Sequence, residues 1–204
     1  MMNDHHTVRV VLFDCDGVVI TGKRFSYYLH QDFHLTEEET APFFTEHLLD
    51  CIVGKADLKK ELQPYLVQWK WQGSVDEFCD YWFRSENAID SRVIDVVAQL
   101  RSQGVRCFVA TNQEQHRTTY LREMLQFNQL FDGVFSSSDI GYTKGSPEFF
   151  ARVLQQLQPC TKEELLLWDD TQQNVDVARE FGIHAEFYSN FNQFQQKMKE
   201  YSFN

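Results

Sequence analysis

No run of apolar residues in this chain approaches the roughly 20 needed to cross a bilayer. The residues ahead of Val8 hold no apolar stretch of the signal-peptide kind, and His5-His6 reads as part of a disordered leader rather than as a metal site. Basic residues are also in short supply. Lys and Arg number 19 against 30 Asp and Glu, for a formal net charge of −11. A nucleic-acid partner requires a concentrated basic face to offset phosphates, so none is expected. An acidic total does not exclude phosphorylated small molecules, because one metal ion and one well-placed Lys can make a local positive site. Cysteine is sparse: Cys15, Cys51, Cys79, Cys107 and Cys160 are odd in number, and no pair has the short spacing of a zinc or redox motif. They read as reduced thiols of a cytoplasmic protein without a membrane association. Internal repeats, low-complexity tracts and Pro/Gly-rich linkers are absent. What the chain does have is core-forming material. It is 43 % hydrophobic over 204 residues, with eighteen Phe and four Trp. That suits one soluble domain with a modest insertion and an aromatic-rich core or pocket.

Val8 to Phe13 is β-branched, almost continuously apolar, and stops at an acidic turn. Such a run suits a central parallel strand buried on both faces. Shorter runs follow at 105–110, 133–135, 165–168 and 185–188. Helical patterns lie between them. Val93, Val96, Val97 and Leu100 form one apolar face closed by Gly104; Tyr120, Leu121, Met124 and Leu125 form a second. Phe149, Phe150, Val153, Leu154 and Leu157 form a third, opened by Pro147. Val175, Val177, Ala178 and Phe181, closed by Gly182, form a fourth. Alternating strand and helix predicts a doubly wound, parallel, Rossmann-like α/β sheet. Residues 21–87 break the alternation. They contain no convincing strand, but Thr36 with Glu39 and Ser74 with Glu77 fit capping boxes. Leu48, Leu49, Ile52, Leu58, Leu62 and Trp82 are among the residues that supply apolar faces. The expected organisation is a core of residues 1–20 and 88–204, with a small all-helical cap of residues 21–87 inserted after the first strand.

In an open parallel sheet, ligands bind at the carboxyl ends of the strands. The first strand ends in Asp14-Cys15-Asp16-Gly17 and the second in Thr111-Asn112. The third is followed by Ser136 to Asp139 and then Lys144, and the fourth by Asp169-Asp170-Thr171. Four carboxylates crowded at one edge repel one another in a partly dry site, so a cation must compensate. A hard divalent ion bound through oxygens is the natural candidate, and Mg²⁺ leaves room for water and phosphate. Lys144 adds a second positive charge. Thr111 and Asn112 add neutral donors for phosphate oxygens.

Asp14-Cys15-Asp16-Gly17-Val18 resembles the first motif, Asp-x-Asp-Gly-x, of the haloacid dehalogenase-like hydrolase superfamily. Thr111-Asn112 is similar to its second motif, Lys144 to its third, and Asp169-Asp170 with Asn174 to its fourth. The resemblance runs from about Val8 to Tyr188. It implies a phosphatase in which Asp14 attacks phosphorus and forms an aspartyl-phosphate. Asp16 acts as general acid and then general base. By the same resemblance the Asp14 carboxylate, the Asp16 carbonyl and the Asp170 carboxylate hold Mg²⁺, and Asp169 orients a metal-bound water. Thr111 and Asn112 hold phosphoryl oxygens, and Lys144 neutralises charge. Two departures matter. Gly145 follows Lys144 where the family often has Pro, which leaves the Lys on a looser turn. Asp16, absent from true dehalogenases of the superfamily, favours phosphate transfer.

The insertion resembles the small helical cap of one branch of the family, and its size and placement are similar to those of small sugar-phosphate phosphatases. A sugar phosphate is therefore the expected substrate, with Lys23, Arg24, Tyr27, Tyr28, Lys55 and Trp82 as candidate contacts from hinge and cap. A phosphomutase shares Asp14 and Asp16 and stands as the second enzyme reading. A non-catalytic binder of a phosphorylated ligand is the reading from another class. Cys15, flanked by carboxylates that raise a thiol's pKa, reads as a neutral structural residue. His116 reads as a helix-surface residue. The tail from Phe191 to Tyr201 reads as an amphipathic helix packed on the domain of a monomer or homodimer.

Overall fold

The computed structural model describes residues 7–203, and the leader with His5 and His6 lies outside the described residues. The strands are β1 (Thr7–Val8), β2 (Val10–Phe13), β3 (Arg106–Thr111), β4 (Gly133–Ser136), β5 (Leu165–Asp169), β6 (His184–Phe187) and β7 (Ser202–Phe203). Five of them form one parallel sheet in the order β4-β3-β2-β5-β6. This is the Rossmann-like α/β architecture expected. The apolar run from Val8 is divided, however. Val8 pairs with Phe203 in a separate β1–β7 ladder, and only from Val10 onward does the chain enter the main sheet.

Helices α6 (Ser91–Ser102), α7 (Gln115–Glu123), α8 (Phe127–Leu130), α9 (Ser137–Ile140), α10 (Pro147–Gln156), α11 (Gln172–Phe181) and α12 (Phe191–Met198) pack on this sheet, after five earlier helices described below. Its central strand explains the continuous apolar pattern. Val11 and Phe13 face a cluster that includes Val93, Val97, Trp168 and Phe194. Val10 and Leu12 face the opposite cluster, with Phe149, Phe150, Val153 and Val175. All four residues of β2 are buried because helices cover both sides.

Between β2 and β3 the chain makes α1 (Phe25–Phe33), α2 (Glu37–Pro42), a π turn (Phe43–His47), α3 (Leu48–Ile52), α4 (Leu58–Gln68) and α5 (Val75–Ser85). They share an apolar cluster of their own, with Phe25, Phe43, Leu62, Trp69, Phe78 and Trp82 in it. Both capping boxes form. The Ser74 N–H donates to Glu77 Oε2 at 2.7 Å while Glu77 N–H donates to Ser74 Oγ at 3.2 Å, and Thr36 and Glu39 do the same. The insertion is entered and left side by side: Thr21 N–H donates to Ala88 O at 2.8 Å, and Asp90 N–H to Val19 O at 2.9 Å. Two residues expected on apolar faces point outward instead. Met124 is 65 % exposed because α7 ends at Glu123, where Met124 only caps it. Leu49 is exposed because α3 turns Cys51, on the opposite face, into the insertion's core, and leaves Leu48 and Ile52 half-buried.

Candidate active site

Strand order reverses at β2, with β3 and β4 on one side and β5 and β6 on the other. The crevice opens at such a switch point. Asp14 stands at the carboxyl end of β2, where its N–H donates to Trp168 O at 2.8 Å. The chain then turns sharply, with Val19 and Ile20 N–H both donating to Cys15 O at 3.0 and 2.7 Å. Gly17 sits in that turn at φ +91°, and a Cβ there would lie 2.0 Å from Asp170 Oδ2. No other residue permits this approach of the first acidic turn to the second.

Lys144 is 1 % exposed, and its ammonium is wedged between two carboxylates. Nζ meets Asp14 Oδ1 and lies 2.7 Å from Asp169 Oδ2. Asp169 is fully buried, held by Thr171 N–H at 2.8 Å and by Asn174 Nδ2 at 3.1 Å from each oxygen. The backbone N–H of Lys144 donates to Asn112 Oδ1 at 2.8 Å. The looseness expected from Gly145 is therefore not found. Asn112 anchors the Lys144 backbone from the neighbouring strand end, and the two carboxylates hold the ammonium.

Burial pushes the Asp14 carboxyl well above the usual carboxylate range, with Asp169 and Asp16 adding to the rise and Lys144 opposing it. Burial and then Asp169 push Asp170 up as well. Burial alone would lower Lys144, but Asp14 and Asp169 outweigh it and keep it an ammonium. One cation thus stands among more carboxylates than it can neutralise. One oxygen from each of Asp14, Asp169 and Asp170 falls within 4.8 Å of the others, a donor set that fits a hard divalent ion. Cys15 is buried and its thiol is pushed up by burial and by Asp16, as a neutral structural residue requires.

Asp16 projects from the same turn into the cavity, half exposed. Its Oδ2 accepts from Gln113 Nε2, and Arg117 Nη2 lies 4.0 Å from its Oδ1. Arg117 is buried, donates to Phe83 O at 2.6 Å and to Glu86 O, and stacks over the Phe83 and Tyr120 rings at 5.6 and 5.5 Å. Neither Gln113 nor Arg117 was anticipated, though both follow Thr111-Asn112 closely in sequence. His116 is not simply a surface residue: its Nε2 lies 3.1 Å from Asp57 Oδ2, bridging α7 to the start of α4. A cavity of about 640 Å³ opens above Asp14, Thr111, Lys144 and Asp170. Of the insertion candidates, Lys23, Arg24 and Trp82 line it; Tyr27, Tyr28 and Lys55 do not.

The sequence pattern that describes haloacid dehalogenase-like hydrolases matches residues 8–182. The chain belongs to this family of hydrolases. It is 34 % identical to the sesquiterpene phosphatase astK of Aspergillus oryzae over 94 residues, 46 % of this chain and 47 % of that enzyme. It is 24 % identical to the pyrophosphatase PpaX of Bacillus mycoides over 172 residues, 80 % of this chain and 75 % of that one. Among solved structures, the HAD family enzyme bt-2542 of Bacteroides thetaiotaomicron, in complex with magnesium and inorganic phosphate, matches with a TM-score of 0.74 at 17 % identity, covering 92 % of this chain and 98 % of that one. At that identity the likeness speaks for the fold alone. Among the described residues, no helix is long and apolar enough to cross a membrane.

Proposed function

We propose that the protein is a Mg²⁺-dependent phosphomonoesterase acting on a small phosphorylated metabolite. The observation that carries this reading is the buried Lys144 ammonium shared by Asp14 and Asp169, with Asp170 beside them and the cavity above. Two relatives named as phosphatase and pyrophosphatase agree with it.

In this reading an Asp14 carboxylate oxygen attacks phosphorus, and the bond from phosphorus to the ester oxygen breaks. Asp16 gives its proton to that departing oxygen. Water then attacks the aspartyl-phosphate, Asp16 takes the proton back, and phosphate leaves as the Asp14 carboxylate is restored. Gln113 holds Asp16 in the cavity through its amide. Lys144 favours the ionised form of Asp14 against the effect of burial and faces the charge that builds on the phosphoryl oxygens. Thr111, at the end of β3 and lining the same cavity, offers a hydroxyl to those oxygens. The ligands we assign to Mg²⁺ are the Asp14 and Asp170 carboxylates and the Asp16 carbonyl, since both Asp169 oxygens are already taken by Lys144, Thr171 and Asn174. Bound there, the ion supplies Lewis-acid polarisation of the phosphoryl group. Residues 21–87 act as a cap over the site. The size and place of the insertion resemble those of sugar-phosphate phosphatases, so sugar phosphates stand in the test panel beside other phosphate esters.

The test is phosphate release from a panel of sugar phosphates, nucleotides and an aryl phosphate, with Mg²⁺, with chelator, and with Asp14→Asn. Metal-dependent release that disappears in the variant supports the reading. Conversion of one sugar phosphate into its isomer without free phosphate would identify a phosphomutase instead.

A further inference from the structure

The insertion's side of the cavity has a distinct chemistry. Ala41, Phe44, Leu48 and Ile52 fall three, four and four residues apart along α2, the π turn and α3, and all four line the cavity. They form a second apolar stripe on this helical run. The first stripe, with Phe43 and Cys51, is buried in the insertion's own core. The second remains only half-buried: Phe44 and Leu48 touch that core on one side, and all four residues line the void on the other. Trp82 and Phe83 of α5 extend the same wall.

The donors of this wall are already engaged within the protein. Trp82 Nε1 donates to Glu86 Oε2 at 2.8 Å, and Glu86 Oε1 accepts from Phe25 N–H at 2.6 Å. The Thr40 hydroxyl donates to Thr36 O at 3.1 Å and the Thr45 hydroxyl to Ala41 O at 2.9 Å. Besides Glu86, whose carboxylate is tied to Trp82 and Phe25, the charged groups Lys23, Arg24 and Glu37 on this side stand exposed at the rim. A sugar pressed on this wall would lose water from its hydroxyls and gain few partners in return, which is penalised group by group. A hydrocarbon would gain by the same desolvation.

We propose that the leaving group is an apolar alcohol, so that the substrate is the monophosphate of a hydrocarbon alcohol rather than of a sugar. This rests on the phosphomonoesterase reading above. The wall selects the leaving group while Asp14, Asp16 and Lys144 act on the phosphoryl group that every substrate shares.

The experiment compares kcat/KM for straight-chain alkyl monophosphates from ethyl to octyl, kept below micellar concentrations, with that for glucose phosphates. The expected result is a rise of up to about fourfold per methylene, with the glucose phosphates below the longer chains. Leu48→Gln and, separately, Ile52→Gln should flatten the dependence on chain length while both variants keep a cooperative melt. Turnover that ignores chain length and favours glucose phosphates would overturn the inference and leave the phosphatase reading standing. A steep dependence that both folded variants preserve would also overturn it, because another surface would then be selecting. No release from any compound would remove the phosphatase reading and this inference with it.

Discussion

Replacing Lys144 by Met keeps the length of the side chain and removes its charge. Asp14 and Asp169 then remain buried, facing one another across the place the ammonium occupied. Losing one partner of a buried ion pair costs about 3–5 kcal/mol, because the charge left behind has neither water nor a counter-ion. In a chain of 204 residues each kcal/mol moves the melting temperature by about 2–4 °C, so a fall of roughly 6–20 °C is expected. The measurement is thermal unfolding at neutral pH in chelator, followed by titration with Mg²⁺. The wild-type protein should gain about 2.7 kcal/mol at a hundred times its Kd for the ion. The variant should gain more, since a divalent cation then offsets the charge that Lys144 no longer covers. A variant that melts with the wild type in chelator, or that responds to Mg²⁺ no more than the wild type does, would refute the electrostatic argument for this site.

Gly17→Ala places a Cβ on Asp170 at a left-handed φ; the Mg²⁺ concentration that half-saturates activity should rise by about 10-fold or more, read from a metal titration. Asp16→Asn should reduce hydrolysis of alkyl phosphates by about 10²–10⁴-fold and that of p-nitrophenyl phosphate less, since an activated leaving group needs little protonation. Equal losses on both would show that Asp16 is not the acid. Asp90 caps α6, and its hydrogen bond to the Arg92 side chain holds its carboxyl below the usual carboxylate range. A depressed pKa contributes stability that is present above the usual carboxylate pKa and lost as pH falls through the folded value. Asp90→Ala should thus cost about 0.5–2 kcal/mol at neutral pH, with the difference from wild type closing in acid. Denaturant melts at several pH values read it directly.

Much of the fold could be read in one dimension because its causes are local. A capping box spans four residues, so Ser74 and Glu77 announce a helix start whatever packs on it. The run from Val10 to Phe13 announces a strand covered on both faces, since each face needs its own apolar residues. The misreadings fall where tertiary contacts choose between local options. Met124 continues an apolar period but lies past the end of α7. Val8 continues an apolar run but pairs with Phe203, almost two hundred residues away. His116 carries no sign in sequence that Asp57 will face it. The stripe of Ala41, Phe44, Leu48 and Ile52 was visible only as apolar content; that it lines a cavity depends on where the insertion is set above the sheet.

Legible along the chain were the groups at or just after the strand ends, Asp14 and Asp16, Thr111 and Asn112, Asp169 and Asp170, together with Lys144 in the turn beyond the third. They could be read there because strand and helix periods, and the turns between them, are written in adjacent residues. How those groups divide their work was settled by the closed fold. Lys144 chose Asp14 and Asp169, Asn112 turned to the Lys144 backbone, and Gln113 with Arg117 closed around Asp16. The reason is physical: these partners lie dozens to more than a hundred residues apart along the chain, and their distances follow from the order and register of the parallel strands, which only closure of the whole sheet sets.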